Sequence, residues 1–303
     1  MSDLADLFPG FRSEWVETSS GRLFARVGGE GPPLLLIHGY PQTHVMWHRL
    51  APELAKSFHL VIPDLPGYGW SHVPRPAPDH APHSKRAWAA TLVDLMERLG
   101  HVRFGVAGHD RGARVGYRMA LDHPGRVERL AVLDIVPTHT MWSEFTVKLA
   151  MKSYHWLFLA QPSDLPETLI GKDPTFYLDW TIASWSKGRT LEAFDPRALA
   201  HYRQSFNSPD RIEAACEDYR AGQTLDLAHD QADVDAGRMI SAPVLTLWGA
   251  HGFPGETRGP LDIWRKWAGD VDGGPIDSGH FLAEENPAAT LPPLLAFFEP
   301  MRT

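Results

Sequence analysis

Val106-Ala107-Gly108-His109-Asp110-Arg111-Gly112-Ala113-Arg114 is the stretch on which the reading of this chain turns. The apolar run Phe104 to Ala107 before it reads as a short buried strand. After it, Val115, Tyr117, Met119 and Leu121 follow a helical pattern. Glycines stand two residues before and two after Asp110, so the backbone can turn tightly and lift one side chain above the strand end. Strand, sharp turn and helix make a nucleophile elbow. The lifted group is a carboxylate, already ionised at pH 7 without help from a base. A carboxylate suits attack on saturated carbon and leaves an ester of the enzyme. Water must then hydrolyse that ester.

Outward from the elbow, strand-like and helical segments alternate. Residues 13–27 read as two strands joined at Ser19-Ser20-Gly21. Leu34 to Ile37 reads as a central strand opening into His38-Gly39-Tyr40-Pro41, with a helix expected from about Thr43 to Ala55. Leu60 to Ile62 is a strand ending at Asp64 and a Gly-rich loop. Ser84 to Leu99 is a helix with Trp88, Leu92, Leu95, Met96 and Leu99 on one face; Ser84 caps its start and Gly100 its end. Leu130 to Leu133 is a strand that stops at Asp134. From about 140 to 235 the chain is rich in Trp, Tyr, His and charge, with helical spacing and no strand-like run. Strands resume at Pro243 to Trp248 and at Pro275-Ile276 before Ser278-Gly279-His280, and a last helix spans roughly 287–299. The expected class is α/β, a mostly parallel central sheet flanked by helices. Residues 1–139 and 236–303 would form the core domain and 140–235 an inserted helical cap.

Apolar residues make up 43% of the 303 positions and charged ones 22%, which fits a folded α/β chain and not a disordered one. The formal net charge of -8, with no long basic run, argues against nucleic acid or an anionic membrane as partner. An anionic substrate would have to be drawn by local cations. The lone Cys216 allows no internal disulfide. The start Met1-Ser2-Asp3-Leu4 is acidic, without a basic leader or long apolar run, so a soluble cytoplasmic protein is expected.

Asp110, Asp134 and His280 each follow an expected strand and so should meet at one edge of the sheet. His280 would deprotonate the water that attacks the ester, and Asp134 would orient the ring and stabilise the imidazolium. The later strand ends in Trp248-Gly249-Ala250-His251-Gly252, with no carboxylate, which leaves Asp134 as the acid. Backbone N–H groups of Arg111 and Tyr40 are the expected oxyanion donors. Arg111 and Arg114 set two guanidinium groups beside the nucleophile. A fork of donors for a substrate carboxylate accounts for them, and with a leaving group on the adjacent carbon the substrate becomes a 2-haloacid. His155, Trp156 and Tyr219 supply N–H and O–H donors of the kind a departing halide needs. The plainer readings are a surface ion pair for Arg114, core packing for Trp156, packing and hydrogen bonding within the elbow for His109, and fixing of the Gly-rich loop for Asp64. No His-x-x-x-His with a carboxylate partner is present, so no metal is expected.

The segments His38-Gly39-Tyr40-Pro41-Gln42-Thr43, Asp64 to Gly69, Gly108 to Arg114, Tyr154-His155-Trp156, Cys216-Glu217-Asp218-Tyr219-Arg220 and Ser278-Gly279-His280-Phe281 resemble the fluoroacetate (haloacetate) dehalogenases of the α/β-hydrolase superfamily. The resemblance covers essentially the whole chain. It implies Asp110 as nucleophile, Asp134 with His280 as the hydrolytic pair, Arg111 and Arg114 on the carboxylate, and His155, Trp156 and Tyr219 around the halide. It also implies a homodimer, no metal and no organic cofactor. Tyr40, where the family is expected to carry Phe, and the His251-Gly252-Phe253-Pro254 loop depart from the pattern. Two other functions fit parts of the sequence. An epoxide hydrolase would share the elbow and use Tyr154 and Tyr219 as ring-opening acids. A non-catalytic receptor for a small acid would need the pocket but no working triad.

Overall fold

The computed structural model describes residues 4–257 and 259–302, so Met1, Ser2 and Asp3 of the acidic start lie outside the described residues. Eight strands form one sheet in the order β1-β2-β4-β3-β5-β6-β7-β8. They are β1 Arg12–Thr18, β2 Gly21–Gly28, β3 Pro33–Ile37, β4 His59–Pro63, β5 Phe104–His109, β6 Val127–Leu133, β7 Val244–Gly249 and β8 Val271–Ile276. β2 runs antiparallel to both of its neighbours, and the remaining pairs are parallel. Every residue of β5 is buried, as expected of a strand covered on both faces. Residues Lys85–Arg98 and Arg111–Asp122 form two of the covering helices.

Register sets where the site falls. Ile37 pairs with Gly108, Gly108 with Val132 and Leu133 with Leu247, so the carboxyl ends of β3, β5, β6 and β7 lie level. The loops that leave these ends converge on one rim, the usual place for a site in a parallel sheet. Between β6 and β7 the described residues form helices and turns, from Thr138–Ser143 to Leu227–Asp235. No helix among the described residues is long and apolar enough to cross a membrane.

Two segments differ from the sequence expectation. The stretch expected as one helix from Thr43 to Ala55 is a 3-10 turn at His44–Trp47 and a short α-turn at Ala51–Leu54. Its backbone bonds run three residues back (Met46 to Thr43, His48 to Val45, Leu50 to Trp47), and Pro52 has no N–H to extend an α ladder through this point. The last strand starts at Val271, earlier than Pro275. Gly273, Gly274 and Pro275 hide it in the sequence, and its edge position tolerates them.

Candidate active site

Asp110 sits at the turn between β5 and the helix Arg111–Asp122 with φ 45°, a positive value rare for a residue with a side chain. The flanking residues are small because nothing larger fits. A Cβ on Gly108 would lie within 3 Å of Gly112 and Ala113, and one on Gly112 would strike the Ile37 and His38 carbonyls. Gly39 is equally confined, since a Cβ there would meet Asp110. This closeness lets the Tyr40 N–H donate to Asp110 Oδ2 at 2.9 Å. The Arg111 N–H opens the helix and so has no partner within it. Burial alone would raise the Asp110 carboxyl; His280, Arg111, His109 and Arg114 outweigh it and hold the pKa down at about 2.

Asp134, at the end of β6, also has a positive φ, 55°. Its Oδ1 accepts from the Gly249 N–H at 2.8 Å and its Oδ2 meets His280 Nδ1 at 2.5 Å. The turn that lacks a carboxylate, Trp248 to Gly252, thus wraps the carboxylate of the neighbouring strand. A Cβ on Gly252 would come to 3.0 Å from Asp134 Oδ1. His280 Nε2 is buried and without a hydrogen-bond partner. Burial would lower the His280 pKa, but the bond and charge of Asp134 raise it above the ordinary value. His109 stacks beside it with ring centroids 4.5 Å apart and donates from Nε2 to the His280 carbonyl at 2.8 Å, a packing and hydrogen-bonding place. Asp64 fixes its Gly-rich loop through the Trp70 and His44 N–H groups, both at 2.8 Å.

A cavity of about 430 Å³ lies over this rim, lined by Asp110, Asp134 and His280 from the sheet side and by His155, Trp156 and Trp185 from the inserted helices. Arg114 also lines it. Arg111, Tyr40 and Tyr219 stand one layer back and are almost wholly buried. The Tyr219 ring lies 5.6 Å from His155, 5.9 Å from Trp156 and 5.4 Å from Tyr40. His155 stacks parallel to Tyr40 at 6.5 Å, and burial lowers its pKa to about 3, so its ring is neutral at working pH. His155 Nδ1 and the Tyr219 hydroxyl are buried without hydrogen-bond partners.

The two arginines are not equivalent. Arg111 donates from Nε and Nη2 to the two carboxylate oxygens of Asp218, each at 2.7 Å, and again from Nη2 to the Asp218 carbonyl at 3.0 Å. Lys85 also pairs with Asp218, and with Asp226 at 3.0 Å. Arg111 is thereby paired, and most of its fork is taken by Asp218. Arg114 is buried too, so it is no surface ion pair. It donates from Nη1 to the Val136 carbonyl at 3.0 Å and to Thr138 Oγ1 at 3.1 Å, and lies 4.5 Å from the Trp156 ring. Among the described residues no carboxylate forms an ion pair with it, and burial together with Arg111 pushes its pKa down. A buried cation without a counter-ion is costly unless an anion joins it.

Sequence reading missed Asp218, the partner of Arg111 across 107 positions. It also missed Trp185, whose ring lies 4.3 Å from His155 and 5.4 Å from His280. Neither position carries a local signal: one buried acid among many, and one of 11 tryptophans.

The family described as alpha/beta hydrolase fold matches residues 32–287. This chain belongs to that family. Among curated relatives of this α/β hydrolase, a fluoroacetate dehalogenase of Burkholderia sp is 40% identical over 298 residues, 98% of this chain and 97% of the relative. A soluble epoxide hydrolase of Corynebacterium sp. (strain C12) is 31% identical, over 93% of this chain and 95% of the relative. A solved α/β hydrolase from Nostoc sp PCC 7120, assigned provisionally, is 49% identical with TM-score 0.92, covering 95% of this chain and 98% of its own. Relatives of both activities support a hydrolase.

Proposed function

We propose that this α/β hydrolase removes halide from haloacetates, converting fluoroacetate to glycolate and fluoride. The observation that carries the reading is Arg114, a buried cation without an acidic partner on the wall of the cavity that holds Asp110. A substrate carboxylate on Arg114, flanked by Arg111, would bring the α-carbon toward Asp110. Asp110 Oδ2 is held by the Tyr40 N–H, which leaves Oδ1 to attack. The new bond joins Oδ1 to the α-carbon as the carbon–halogen bond breaks, and the halide leaves with the bonding pair. His155, Trp156 and Tyr219 would solvate it with N–H and O–H donors. Water then attacks the Asp110 ester carbonyl and gives its proton to His280 Nε2. The charge on Oδ2 rests on the Tyr40 and Arg111 N–H groups. Collapse breaks the bond from the carbonyl carbon to Oδ1. Glycolate leaves with Oδ1 and takes the proton from His280. The Asp110 carboxyl, now holding the water oxygen, loses that oxygen's remaining proton to solvent and is a carboxylate again.

In this reading residues 140–235 act as a cap domain on the 1–139 and 236–303 core, closing the halide side. We propose a homodimer formed through the cap. Val147, Met151 and Phe176 expose 84%, 75% and 65% of their surface, apolar area that a second copy would cover. Sedimentation of the wild type against Val147→Glu and Phe176→Glu tests that assembly.

The epoxide-hydrolase reading is favoured by the unpartnered Tyr219 hydroxyl and the 31%-identical relative. It gives no role to Arg114. Halide release from fluoroacetate and chloroacetate, with wild type and Asp110→Asn side by side and styrene-oxide diol formation as control, separates the two. Halide that disappears in the variant supports dehalogenation, and diol without halide rejects it. A receptor would give neither product.

A further inference from the structure

The backbone around His280 is hydrogen-bonded throughout, and one side chain takes the two N–H groups that flank it. Glu285 Oε2 accepts from the Gly279 N–H at 2.9 Å, and its Oε1 from the Phe281 N–H at 2.9 Å. The amides on either side of the histidine therefore share one carboxylate. The same Oε2 accepts from the Lys187 N–H at 2.7 Å, which belongs to the segment between β6 and β7. The His280 N–H itself donates to the Trp185 carbonyl at 3.0 Å, and its carbonyl accepts from His109. Gly279 is pressed onto this segment so closely that a Cβ would lie under 3 Å from Trp185 and Lys187 backbone atoms. Trp185 in turn packs on both His155 and His280.

Three N–H groups on one carboxylate are charge-assisted bonds, stronger than neutral ones and directional. They fix the height and tilt of the His280 loop and tie it to the stretch that walls the cavity. We propose that Glu285 is a positioning residue for His280, holding the imidazole in line for water attack and coupling it to Trp185–Lys187. This rests on the two-step reading above, in which His280 serves ester hydrolysis and not halide displacement. Loss of Glu285 should therefore slow the second step alone. A misplacement of about 1 Å is enough to cost about 10²-fold in such a step.

The test is a single-turnover reaction with chloroacetate in which halide and the Asp110 ester are followed separately, the latter by mass spectrometry of the intact chain. His280→Asn serves as reference, since it should form the ester and keep it. Glu285→Ala should release the first equivalent of halide within about twofold of the wild-type rate, then accumulate ester that hydrolyses about 10²-fold more slowly. Glu285→Gln keeps one acceptor oxygen, so it should fall between. Hydrolysis at the wild-type rate in Glu285→Ala, or equal slowing of both steps in the folded Glu285→Gln protein, would overturn the assignment. An absence of ester in His280→Asn would instead sink the two-step reading on which it rests.

Discussion

The two sides of the cavity are built differently. On the sheet side, Asp110 Oδ2 is held by Tyr40, both Asp134 oxygens are occupied, and His280 is fixed through Nδ1. Of these three side chains, Asp110 Oδ1 and His280 Nε2 are left over, the atoms that a nucleophile and a general base need free. On the helical side, His155 Nδ1 and the Tyr219 hydroxyl have no partner although both are buried. Buried polar atoms are normally paired, and in the proposed reaction the departing halide completes this set. In the proposed reaction one wall thus carries finished chemistry, and the other a cost that substrate relieves. Arg111 and Arg114 repeat the contrast within one helix, the first neutralised by Asp218 and the second unmatched.

Breaking the finished wall should have the largest effect. Asp110→Asn keeps the shape but removes the nucleophilic charge, and halide release should fall by at least about 10⁴-fold. Steady-state halide assays with chloroacetate check this. A loss under tenfold would mean that Asp110 is not the attacking group.

The arginine pair sharpens the comparison by splitting binding from folding. Arg114→Met removes the unmatched cation, so KM for haloacetates should rise about 10²-fold while the melting temperature holds or climbs. Asp218→Asn leaves Arg111 and Lys85 without their shared acid, and breaking a buried pair costs about 3–5 kcal/mol of stability. Thermal melts and KM on both variants give four readings. If Asp218→Asn raised KM without lowering the melting temperature, the division between a structural and a substrate-facing arginine would fail.

Much of the sheet side was legible in the sequence because local geometry is written in local spacing. Glycines around Asp110, a strand that stops at Asp134 and a Gly-His after the last strand each predict a rim position. The helical side was legible only as residue types. That Asp218 takes the Arg111 fork, or that Glu285 brackets His280, depends on how segments far apart in sequence dock. No periodicity reports that. The broken helix at 44–54 was lost for the opposite reason: its apolar spacing is helical, but Pro52 removes the backbone donor that an α ladder would use.

The two steps should separate with pH. Asp110, held at about pKa 2, is ionised throughout the working range, so ester formation should be flat from pH 5 to 9. Hydrolysis needs neutral His280, and Asp134 raises its pKa above the ordinary 6.5. The hydrolytic rate should therefore climb with pH through a midpoint above 6.5, and ester should build up on the acid side. Single-turnover traces at a series of pH values show this directly. A midpoint below 6.5 would deny Asp134 its part.

The smallest effect concerns the carboxyl next to Glu285. Glu284 is fully buried; its Oε2 accepts from Gln42 Nε2, and its Oε1 has no partner. Burial lifts its pKa from the ordinary 4.5 to about 8. Between those values the folded chain must keep a proton that the unfolded chain releases. Stability should therefore fall as pH rises across this window, with the full loss present above pH 8. Glu284→Gln cannot ionise and keeps an acceptor for Gln42. It should melt like the wild type near pH 5 and about 2 °C or more above it at pH 8.5. Halide release at neutral pH should be unchanged, because Glu284 faces Gln42 while Glu285 alone holds the His280 amides. Equal melting of the two proteins at both pH values would show that Glu284 is ionised in the fold. A loss of hydrolysis in Glu284→Gln would mean that the neighbouring carboxyls act on His280 as a pair.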